Sequence, residues 1–582
     1  MALENLITEH IDIWTSAVKT KSSSGRGSSK KLELYGVKKL RELILELAVR
    51  GKLVPQDAND EPVATLLKQN HIEQSRLTVE ENLKTKASQS ILDSEEYILV
   101  PETWGRIKLG NLAKFIDYRG KTPKKLSAGV RLITAKNVKF GYLSLQPEEF
   151  ISEAEYKTWM TRGFPRFGDI LFTPEAPLGN VAQVDLEEKF ALAQRAICLQ
   201  FHLSDISNYL RLFLMSPSFQ NLLSEKATGT TAKGIKASVL KELVVYIPPI
   251  EEQHRIVAKV DELMALCDQL EQQTETSIEA HQMLVTTLLD TLTNSADADE
   301  LMQNWARISE HFDTLFTTEE SIDQLKQTIL QLAVMGKLVP QDPSDEPAAE
   351  LLKRIAEEKA QLVKEKKIKK PKAHITFEGL DDLKTQIPSG WHWIRLSDTA
   401  ELVRGGSPRP AGDPRFYDGE IPFLKVGDVT RKSSKFVEGY NATIKEAGLN
   451  KTRLIETRTV LLSNSGATLG VPAICEFPAT FNDGIAAFIE KSKYIYDEYL
   501  YLYLSTKTKW FLDIASRGQG QPNLNTDIIK ATWFPLAPFE EQYRIVCKVD
   551  ELLSICEHLK KQILESHATQ LHLTDSIVDK AV

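Results

Sequence analysis

The sequence predicts a mixed α+β fold that is built twice on one plan. Two globular domains are expected, separated and linked by long helices that form an antiparallel coiled coil, which gives a pseudo-two-fold internal repeat. Three observations predict this fold class: two pairs of duplicated blocks, a heptad pattern in both copies of one block, and strand-like runs between glycine and proline turns in the intervening segments.

The duplication is visible at two places in the chain. Residues 39–69 and 324–354 are identical at 20 of 31 positions, at an offset of 285. Residues 247–271 and 536–560 are identical at 14 of 25 positions, at an offset of 289. Because the offsets are nearly equal, one unit of about 287 residues occurs twice, and a repeat of that length is a duplication of whole domains.

The first repeated block predicts a helix with a defined end. Apolar residues at 40, 43, 44 and 47 form one stripe, and Gly51 lies where a left-handed residue ends a helix. Residues 60–62, Asp-Glu-Pro, then predict the N-cap and first turn of another helix, and residues 345–347 repeat that signal.

The second repeated block predicts a long helix. Pro249 stands at its start, and Glu251 and Glu252 in the first turn are expected to offset the positive end of the helix dipole. An apolar seam with alternating spacings of four and three residues follows in both copies, which is typical of a coiled coil. The seam residues are Ile256, Val260, Leu263, Cys267 and Leu270, and Ile545, Val549, Leu552, Cys556 and Leu559. We expect the two seams to pack on each other; the alternative is that each packs on its own globular domain.

Between the repeated blocks the similarity falls away, although short landmarks survive. Residues 101–104 are echoed by 388–391, residues 119–123 by 404–408, and residues 176–179 by 467–470. Each intervening segment reads as mixed α/β, with strands near 131–134, 169–172, 460–462 and 486–489 and helices near 209–223 and 498–514. The predicted domains are an N-terminal helical region (1–98), a first mixed domain (99–247), a central helical spacer (248–385), a second mixed domain (386–536) and a C-terminal helix (537–582).

Positive charge collects in the two mixed domains. The 582-residue chain has a net charge of −8, with 42% hydrophobic and 26% charged residues, as in a soluble globular protein. Residues 101–246 nevertheless hold 20 basic against 14 acidic residues, and residues 388–535 hold 18 against 16. This local excess is compatible with a polyanionic partner, because local fields decide where such a partner docks. Six lysines at 364–372 are either phosphate contacts or a solvated helix tail.

Several classes of function lack their sequence signatures. No apolar run is long enough to span a bilayer and no secretion signal opens the chain, so a cytoplasmic protein without a membrane partner is expected. The five cysteines form no C-x-x-C pair, and no ligand spacing predicts a metal site. A phosphate-binding loop, a dinucleotide-binding loop and the tetrapeptide of amino-methylating enzymes are also missing, which argues against a catalytic site.

Two motifs carry a resemblance to a known family. Pro-x-x-Glu-Glu-Gln-x-Arg-Ile-Val-x-Lys-Val-Asp-Glu-Leu occurs at 248–263 and again at 537–552, where Ala537 replaces the leading proline. Leu-Ala-Val-x-Gly-Lys-Leu-Val-Pro-Gln-Asp occurs at 47–57 and 332–342. Together they resemble the specificity subunits of type I restriction-modification enzymes, in particular members with long N-terminal and central helical regions.

The resemblance implies a function. Each mixed domain would be a target recognition domain that binds one half of a bipartite, asymmetric sequence in double-stranded DNA. The helices would set the spacing and dock two methyltransferase subunits, which two restriction/translocase subunits then join. S-adenosylmethionine, ATP and Mg²⁺ would act through those partners, so the chain would bind no cofactor and would be non-catalytic by itself.

Polar residues near the surviving landmarks are the candidate DNA contacts, because Arg, Asn, Gln and carboxylates pair with base edges while Lys more often binds phosphate. In the first mixed domain they are Arg119, Lys121, Thr122, Lys124, Lys125, Thr173, Glu175, Asn180, Gln194, Arg195, Thr230, Thr231, Lys233 and Lys236. In the second they are Arg404, Ser407, Arg409, Asn464, Ser465, Asn482, Asp483, Gln519, Gln521 and Asn523. The alternative is that these residues only form turns or lie in solvent.

Two other classes of function stay open at this point. A fused or orphan DNA methyltransferase or nuclease would bind S-adenosylmethionine by itself. A structural coiled-coil adaptor would bind no DNA, although it would have no use for two divergent, mildly basic domains.

Overall fold

A computed structural model describes residues 3–21, 31–80, 91–92, 95–118, 123–193, 195–229, 233–296, 298–370, 375–376, 379–431, 434–516 and 523–582. The chain divides into two units, Met1–Ile278 with Ser566–Val582, and Glu279–Glu565. Both divisions fall inside long helices, so each of these helices begins in one unit and ends in the other. Among the described residues, no helix has the length and apolarity that crossing a membrane requires.

The first unit begins with helices and a short hairpin. These elements are α1 (Leu3–Glu9), α2 (Ile11–Ser16), β1 (Lys19–Lys21), β2 (Lys31–Glu33), α3 (Tyr35–Val49) and α4 (Val63–Glu80). The first mixed domain follows with β3 (Gly105–Lys108), β4 (Ala113–Asp117), β5 (Val130–Ile133), β6 (Phe150–Ile151), α5 (Glu153–Trp159), β7 (Ile170–Pro174), β8 (Leu178–Gln183), β9 (Phe190–Leu192), β10 (Ile197–Phe201), α6 (Ser207–Met215), α7 (Pro217–Lys226), α8 (Ala237–Glu242) and β11 (Val244–Ile247).

The second unit repeats this plan. Its helical part contains the end of α9 (Ile250–Asn294), α10 (Ala298–Glu310), α11 (Phe312–Leu315), α12 (Glu319–Val334) and α13 (Ala348–Lys364). The second mixed domain contains β12 (His392–Arg395), α14 (Leu396–Thr399), β13 (Glu401–Arg404), β14 (Tyr417–Leu424), α15 (Val426–Val429), β15 (Thr443–Ile444), β16 (Arg453–Ile455), β17 (Thr459–Ser463), β18 (Pro472–Cys475), β19 (Ala479–Phe481), β20 (Ile485–Ile489), α16 (Asp497–Ala515), α17 (Thr526–Ala531) and β21 (Trp533–Leu536), and is followed by α18 (Phe539–Ala581).

The two mixed domains share one strand order although their sequences have diverged. A four-stranded antiparallel sheet has the order β4-β10-β7-β8 in the first and β13-β20-β17-β18 in the second. A second sheet, with three strands in the first domain and four in the second, contains one parallel pair, β5 with β9 or β14 with β19. The first and last strands of each domain pair with each other, β3 with β11 and β12 with β21. The mixed α/β prediction is confirmed, with one difference: residues 209–223 form two helices because Pro217 begins a new one.

One hydrophobic core joins the helices of each unit to its mixed domain. In the first unit this core contains Leu43 and Ile44 of α3, Ile256 and Val260 of α9, and strands of the four-stranded sheet. The second unit has the same arrangement around α12 and α18. The N-terminal helices therefore pack as part of the unit that holds the first mixed domain.

The last turns of α18 complete the first unit. Ile577 and Val578 pack against its core, and the Tyr35 hydroxyl donates to Asp575 at 2.7 Å. In the second unit the end of α9 has the same role, because Leu289 and Leu292 are buried in that core. The end of α18 thus packs against the core of the first unit, as the end of α9 packs in the core of the second.

The apolar seams are buried, but each in its own unit. Leu263 is completely buried in the core of the first unit, while Leu552 is half-buried and packs against the core of the second. The other seam residues divide in the same way. The expectation that the two seams face each other is therefore wrong, and the alternative, in which each seam packs on its own domain, describes these positions. What the two long helices share within each unit is an antiparallel overlap of the start of one with the end of the other.

Gly51 ends α3 as expected and explains a second landmark. Its φ is +67°, and a Cβ atom there would lie 2.5 Å from Cγ of Pro101. Gly336 repeats this arrangement with a φ of +71° and the same distance to Pro388. The ends of α3 and α12 therefore contact the 101–104 and 388–391 landmarks, which explains why both features occur in both repeats.

Two residues in the repeated blocks have other roles than their positions predicted. Asp60 does not cap α4; it accepts hydrogen bonds from Arg255 at 2.9 and 2.6 Å. Glu252 is buried and accepts from the Trp104 indole at 3.1 Å and from the Gln56 amide at 2.5 Å. These contacts prevail because they satisfy buried polar groups, whereas a helix end can be solvated.

The second unit reproduces both contacts. Arg544 donates to Asp345 at 3.1 and 2.5 Å. Glu541 accepts from the Trp391 indole at 2.9 Å and from the Gln341 amide at 2.6 Å. The motifs that carry the resemblance thus supply the contacts that connect a helix end, a mixed domain and the start of a long helix.

Candidate nucleic-acid interface

A polar edge forms in each mixed domain where the parallel strands end. The carboxyl ends of parallel strands meet at one edge of a sheet, where loops collect. In the second domain Asn482 N donates to the Leu424 carbonyl, and Gly406 N donates to the Phe481 carbonyl. Ser465 forms a β-bridge with Asn523 there. We use "polar edge" for residues 404–409, 425, 464–465, 482–484 and 523 of this domain.

Asp483 holds the second polar edge together. Its carboxylate accepts from the Ser407 hydroxyl at 2.7 Å and lies 3.9 Å from the guanidinium of Arg409. Its backbone carbonyl accepts from Arg404 Nε at 2.5 Å. The structure thus brings four predicted residues to one place, although they come from loops about 75 residues apart.

Two glycines make this approach possible. A Cβ atom on Gly405 would lie 2.3 Å from the Asn482 carbonyl oxygen, and one on Gly406 would lie 2.4 Å from the Lys451 carbonyl oxygen. Any side chain at either position would push the 404–409 loop away from Asp483. Steric crowding therefore explains why the 404–408 landmark contains glycine at these two positions.

Asn464 supports this edge from beneath. Its side chain is completely buried, and its amide nitrogen donates to the Gly484 carbonyl at 2.8 Å. A buried side chain cannot reach a base, so the expectation that Asn464 contacts DNA is wrong. Neighbouring Ser465 is half-buried, and Asn523 is exposed, so both remain candidates.

The first domain builds the corresponding edge with different residues. The Arg195 Nε atom lies 3.2 Å from a carboxylate oxygen of Glu175. Glu175 forms a β-bridge with Gly234, as Ser465 does with Asn523. We extend the name "polar edge" to residues 134–136, 174–175, 193, 195 and 233–236 of this domain, where Ala193 N donates to the Ile133 carbonyl.

Arg195 has an unusual backbone. Its φ is +62°, in the left-handed region that non-glycine residues rarely adopt. Such conformations persist only where the surroundings fix them, and they collect at functional sites. The side chain is 57% exposed, so its position is fixed while its outer atoms stay accessible.

Thr173 is the second wrong candidate. It is completely buried in β7, and its hydroxyl accepts from the Asn180 backbone N–H at 2.9 Å. The Asn180 amide in turn donates to the Val138 carbonyl at 2.8 Å, so both residues hold the sheet to a neighbouring hairpin. Both residue types favoured base contact, but Thr173 is buried, and the half-buried Asn180 uses its amide group in a contact within the domain.

The remaining predicted residues fall into two groups. Lys124, Lys125, Lys233 and Lys236 are exposed, and Lys125 forms an ion pair with Glu149 at 2.8 Å. The following residues lie outside the part of the chain that the structure describes: Arg119, Lys121, Thr122, Gln194, Thr230, Thr231, Gln519 and Gln521.

Known proteins match this chain along its length. A profile of the type I restriction modification DNA specificity domain matches residues 101–280 and 388–566, more than half of the chain. The chain belongs to the family of type I restriction enzyme specificity subunits. It is 37% identical to the Type I restriction enzyme EcoAI specificity subunit of Escherichia coli and 37% identical to the EcoEI specificity subunit of the same organism. Both alignments cover 100% of this chain and 100% of the relative.

A solved structure is also similar. The crystal structure of the HsdS subunit from Thermoanaerobacter tengcongensis matches with a TM-score of 0.41 and 18% identity, over 83% of this chain and 97% of that chain.

The structure adds two candidates in this specificity-subunit chain that the sequence analysis missed. Lys136 follows β5 and Lys425 follows β14, so both lie where a parallel strand ends at the polar edge. Both side chains are exposed. The available signal was a basic residue one to three positions after an apolar strand, but it becomes informative only once the parallel pairing is known.

Other chemistry can be placed on the described residues. Burial raises the pKa of the thiols of Cys198, Cys267, Cys475 and Cys556, so they are protonated at neutral pH and poor nucleophiles. Cys547 is exposed. The described residues contain no group of three or more side chains arranged to hold a metal ion.

The lysine-rich segment before the second domain is partly described. Lys364 ends α13, and Lys367 pairs with Glu365 at 3.0 Å. Lys372 lies outside the described residues. Both interpretations of this segment, phosphate contact and solvated helix tail, stay predictions.

Proposed function

We propose that each mixed domain binds one half of a bipartite DNA target through its polar edge. One observation carries this proposal: the same edge is built twice on one strand order, with different side chains in each copy. A retained frame with exchanged polar residues is what two readers of different sequences need, because hydrogen-bonding side chains determine which base pairs are accepted.

The long helices provide the spacing between the two readers. Helix α9 has 45 residues, which corresponds to about 67 Å at 1.5 Å per residue. One turn of DNA is about 34–36 Å. A helix of this length is sufficient to separate two half-sites by about one turn, and specificity for the pair is the sum of two modest selectivities.

Matching surfaces on α9 and α18 support the docking of two methyltransferase subunits. Leu266 and Ile555 hold equivalent positions and are each 49% exposed. Beside them, Lys259 pairs with Glu262 at 3.1 Å and Lys548 with Glu551 at 3.0 Å. Core packing does not explain why exposed residues were kept in both repeats, whereas two copies of one partner would require two equal surfaces. Two restriction/translocase subunits join through the methyltransferases.

Catalysis belongs to the partners in this proposal. S-adenosylmethionine is used by the methyltransferase, and ATP and Mg²⁺ by the restriction subunit, while this chain binds none of them. The support is that both copies of the repeat lack the phosphate-binding and amino-methylating motifs, and that the relatives are specificity subunits of multisubunit enzymes.

Reconstitution tests the proposal. The chain is purified alone and in complex with type I methyltransferase subunits that assemble with it, and each sample is incubated with S-adenosylmethionine and random-sequence DNA. We expect methylation of one bipartite motif by the complex, none by the chain alone, and none by the methyltransferase alone. Methylation that scales with the isolated chain would instead favour an orphan methyltransferase, and a complex without sequence preference would favour a structural adaptor.

A further inference from the structure

Each polar edge contains an arginine that contacts a neighbouring residue through Nε of its guanidinium. Arg195 contacts Glu175 through Nε at 3.2 Å, and Arg404 donates through Nε to the Asp483 carbonyl at 2.5 Å. Both side chains are exposed. Among the residues that the structure describes, the two terminal nitrogens of each arginine donate no hydrogen bond, so both arginines keep a pair of donors for a ligand.

A free pair of donors on a fixed guanidinium matches one base in particular. Guanine offers the acceptors O6 and N7 side by side in the major groove, and a bidentate arginine is the commonest contact to them. Fixing Nε in advance removes rotamer freedom that would otherwise be lost on binding. The geometry therefore favours reading a base edge over a loose contact with phosphate.

The carboxylates beside the arginines strengthen this choice. The Glu175 carboxylate lies 3.2 Å from Nε of Arg195. In the second domain the Asp483 carboxylate lies 3.9 Å from the Arg409 guanidinium, while Arg404 contacts the backbone carbonyl of the same residue. A carboxylate repels phosphate, but it accepts a hydrogen bond from N4 of cytosine. An arginine with an adjacent carboxylate thus complements both bases of a G·C pair.

We propose that Arg195 and Arg404 each read the guanine of a G·C pair, one in each half of the target. This inference rests on the proposed function of the two mixed domains. It assigns base identity to one position in each half-site, and it makes Glu175 and Asp483 positioning residues for the arginines.

Methylation mapping of complexes that carry single substitutions tests the assignment. With Arg195→Ala or Arg195→Lys, we expect the preference for G at one position of one half-site to fall about 10- to 100-fold, the usual effect of losing one bidentate contact. The other half-site stays unchanged. Arg404→Ala and Arg404→Lys have the same effect on the other half. The lysine variants keep the charge but not the paired donors, so they separate base reading from phosphate contact.

Matched controls come from arginines that are not among the residues of the polar edges. Arg106 is 49% exposed on β3 and pairs with Glu96; Arg415 is 73% exposed and pairs with Asp413 at 2.7 Å. Arg106→Ala and Arg415→Ala should leave the motif unchanged. The assignment is overturned if Arg195→Lys keeps the wild-type motif, or if Arg195→Ala weakens both half-sites equally. A wild-type complex that methylates no bipartite motif would instead overturn the proposed function, so the two failures are distinguishable.

Discussion

Asp60 and Arg255 illustrate how single residues hold the repeated frame. The Asp60 side chain is 6% exposed, and the Arg255 guanidinium lowers the pKa of its carboxyl. Removing the arginine leaves a buried carboxylate without its donors. We expect Arg255→Ala to lower the free energy of unfolding by about 1–3 kcal/mol, measured by urea titration.

A surface ion pair on the same helix is the control for that variant. Lys259 pairs with Glu262 at 3.1 Å, and the Glu262 side chain is 58% exposed, against 6% for Asp60. Lys259→Ala should change the free energy of unfolding by less than about 0.5 kcal/mol, as is usual for exposed pairs. Equal effects of Lys259→Ala and Arg255→Ala would contradict the role given to Asp60.

Glu252 predicts a pH dependence of stability. Burial raises the pKa of its carboxyl, and hydrogen bonds from Gln56 and Trp104 only partly oppose this. A folded-state pKa above the unfolded value stabilises the protein at low pH, and that contribution is lost as pH rises through the folded-state pKa. Unfolding measured from pH about 4.5 to neutral pH should therefore show Glu252→Gln gaining stability relative to wild type.

The second repeat offers an independent copy of this experiment. Burial also raises the pKa of Glu541, which has the same partners in the second unit. Glu541→Gln should show a change of the same sign over the same pH range. A relative loss of stability for either variant as pH rises would show that the buried carboxylates are favoured in their charged form.

At this scale the sequence predicted residue types better than residue roles. Arg195, Ser407 and Asp483, which were predicted as DNA contacts, lie at the polar edges, and their contact with DNA stays a prediction. Thr173 and Asn464 were assigned to DNA on the same grounds but are buried. The difference is set by burial, which depends on strand pairing over long separations and leaves no local pattern.

Among the secondary-structure elements, the helix ends carry the strictest requirements. Gly336 has a φ of +71° and leaves no room for a Cβ atom beside Pro388. We expect Gly336→Ala to cost about 2–4 kcal/mol, from the left-handed backbone and the clash together. Gly390 is the control, since a Cβ atom there meets nothing within 4 Å. If Gly390→Ala destabilises the protein as much in urea unfolding, the steric account of the landmark fails.

Helix α9 predicts that spacing can be changed without changing base identity. Four residues inserted after Ile278, where the two units divide, add about 6 Å of helix and roughly one turn. The methylated motif should keep both half-sites and gain a wider gap, by about two base pairs at 3.4 Å each. A companion variant carries a matching insertion after Glu565 in α18, because both helices connect the units. A change in base identity in either variant would contradict the spacing role.

The elements were largely predictable from sequence, while their partners were not. The strands near 131–134 and 460–462 and the end of α3 at Gly51 lie where local patterns indicated. The seams were recognised by their heptad spacing, yet Leu263 packs in the core of the first unit and Leu552 against the core of the second. A heptad pattern shows that a helix face is buried, but it does not identify what covers that face.

For the whole molecule, the central feature is that the helices and the strand order repeat while the side chains of the two polar edges differ. The repeat could be recognised in the sequence because its motifs form buried contacts between helix ends, mixed domains and long helices. Such contacts tolerate little change. The polar edges were free to diverge because exposed side chains contribute little to folding. This difference between buried contacts and exposed side chains explains why the family can be recognised from the sequence, whereas the DNA target cannot.

The most direct test of two independent readers is an exchange of one domain. Residues 101–246 are replaced by the corresponding domain of a related specificity subunit, and the motif methylated by the assembled complex is mapped by sequencing. The account predicts that one half-site changes to that of the donor, while the other half-site and the gap stay as in wild type. A motif in which both half-sites change would contradict it.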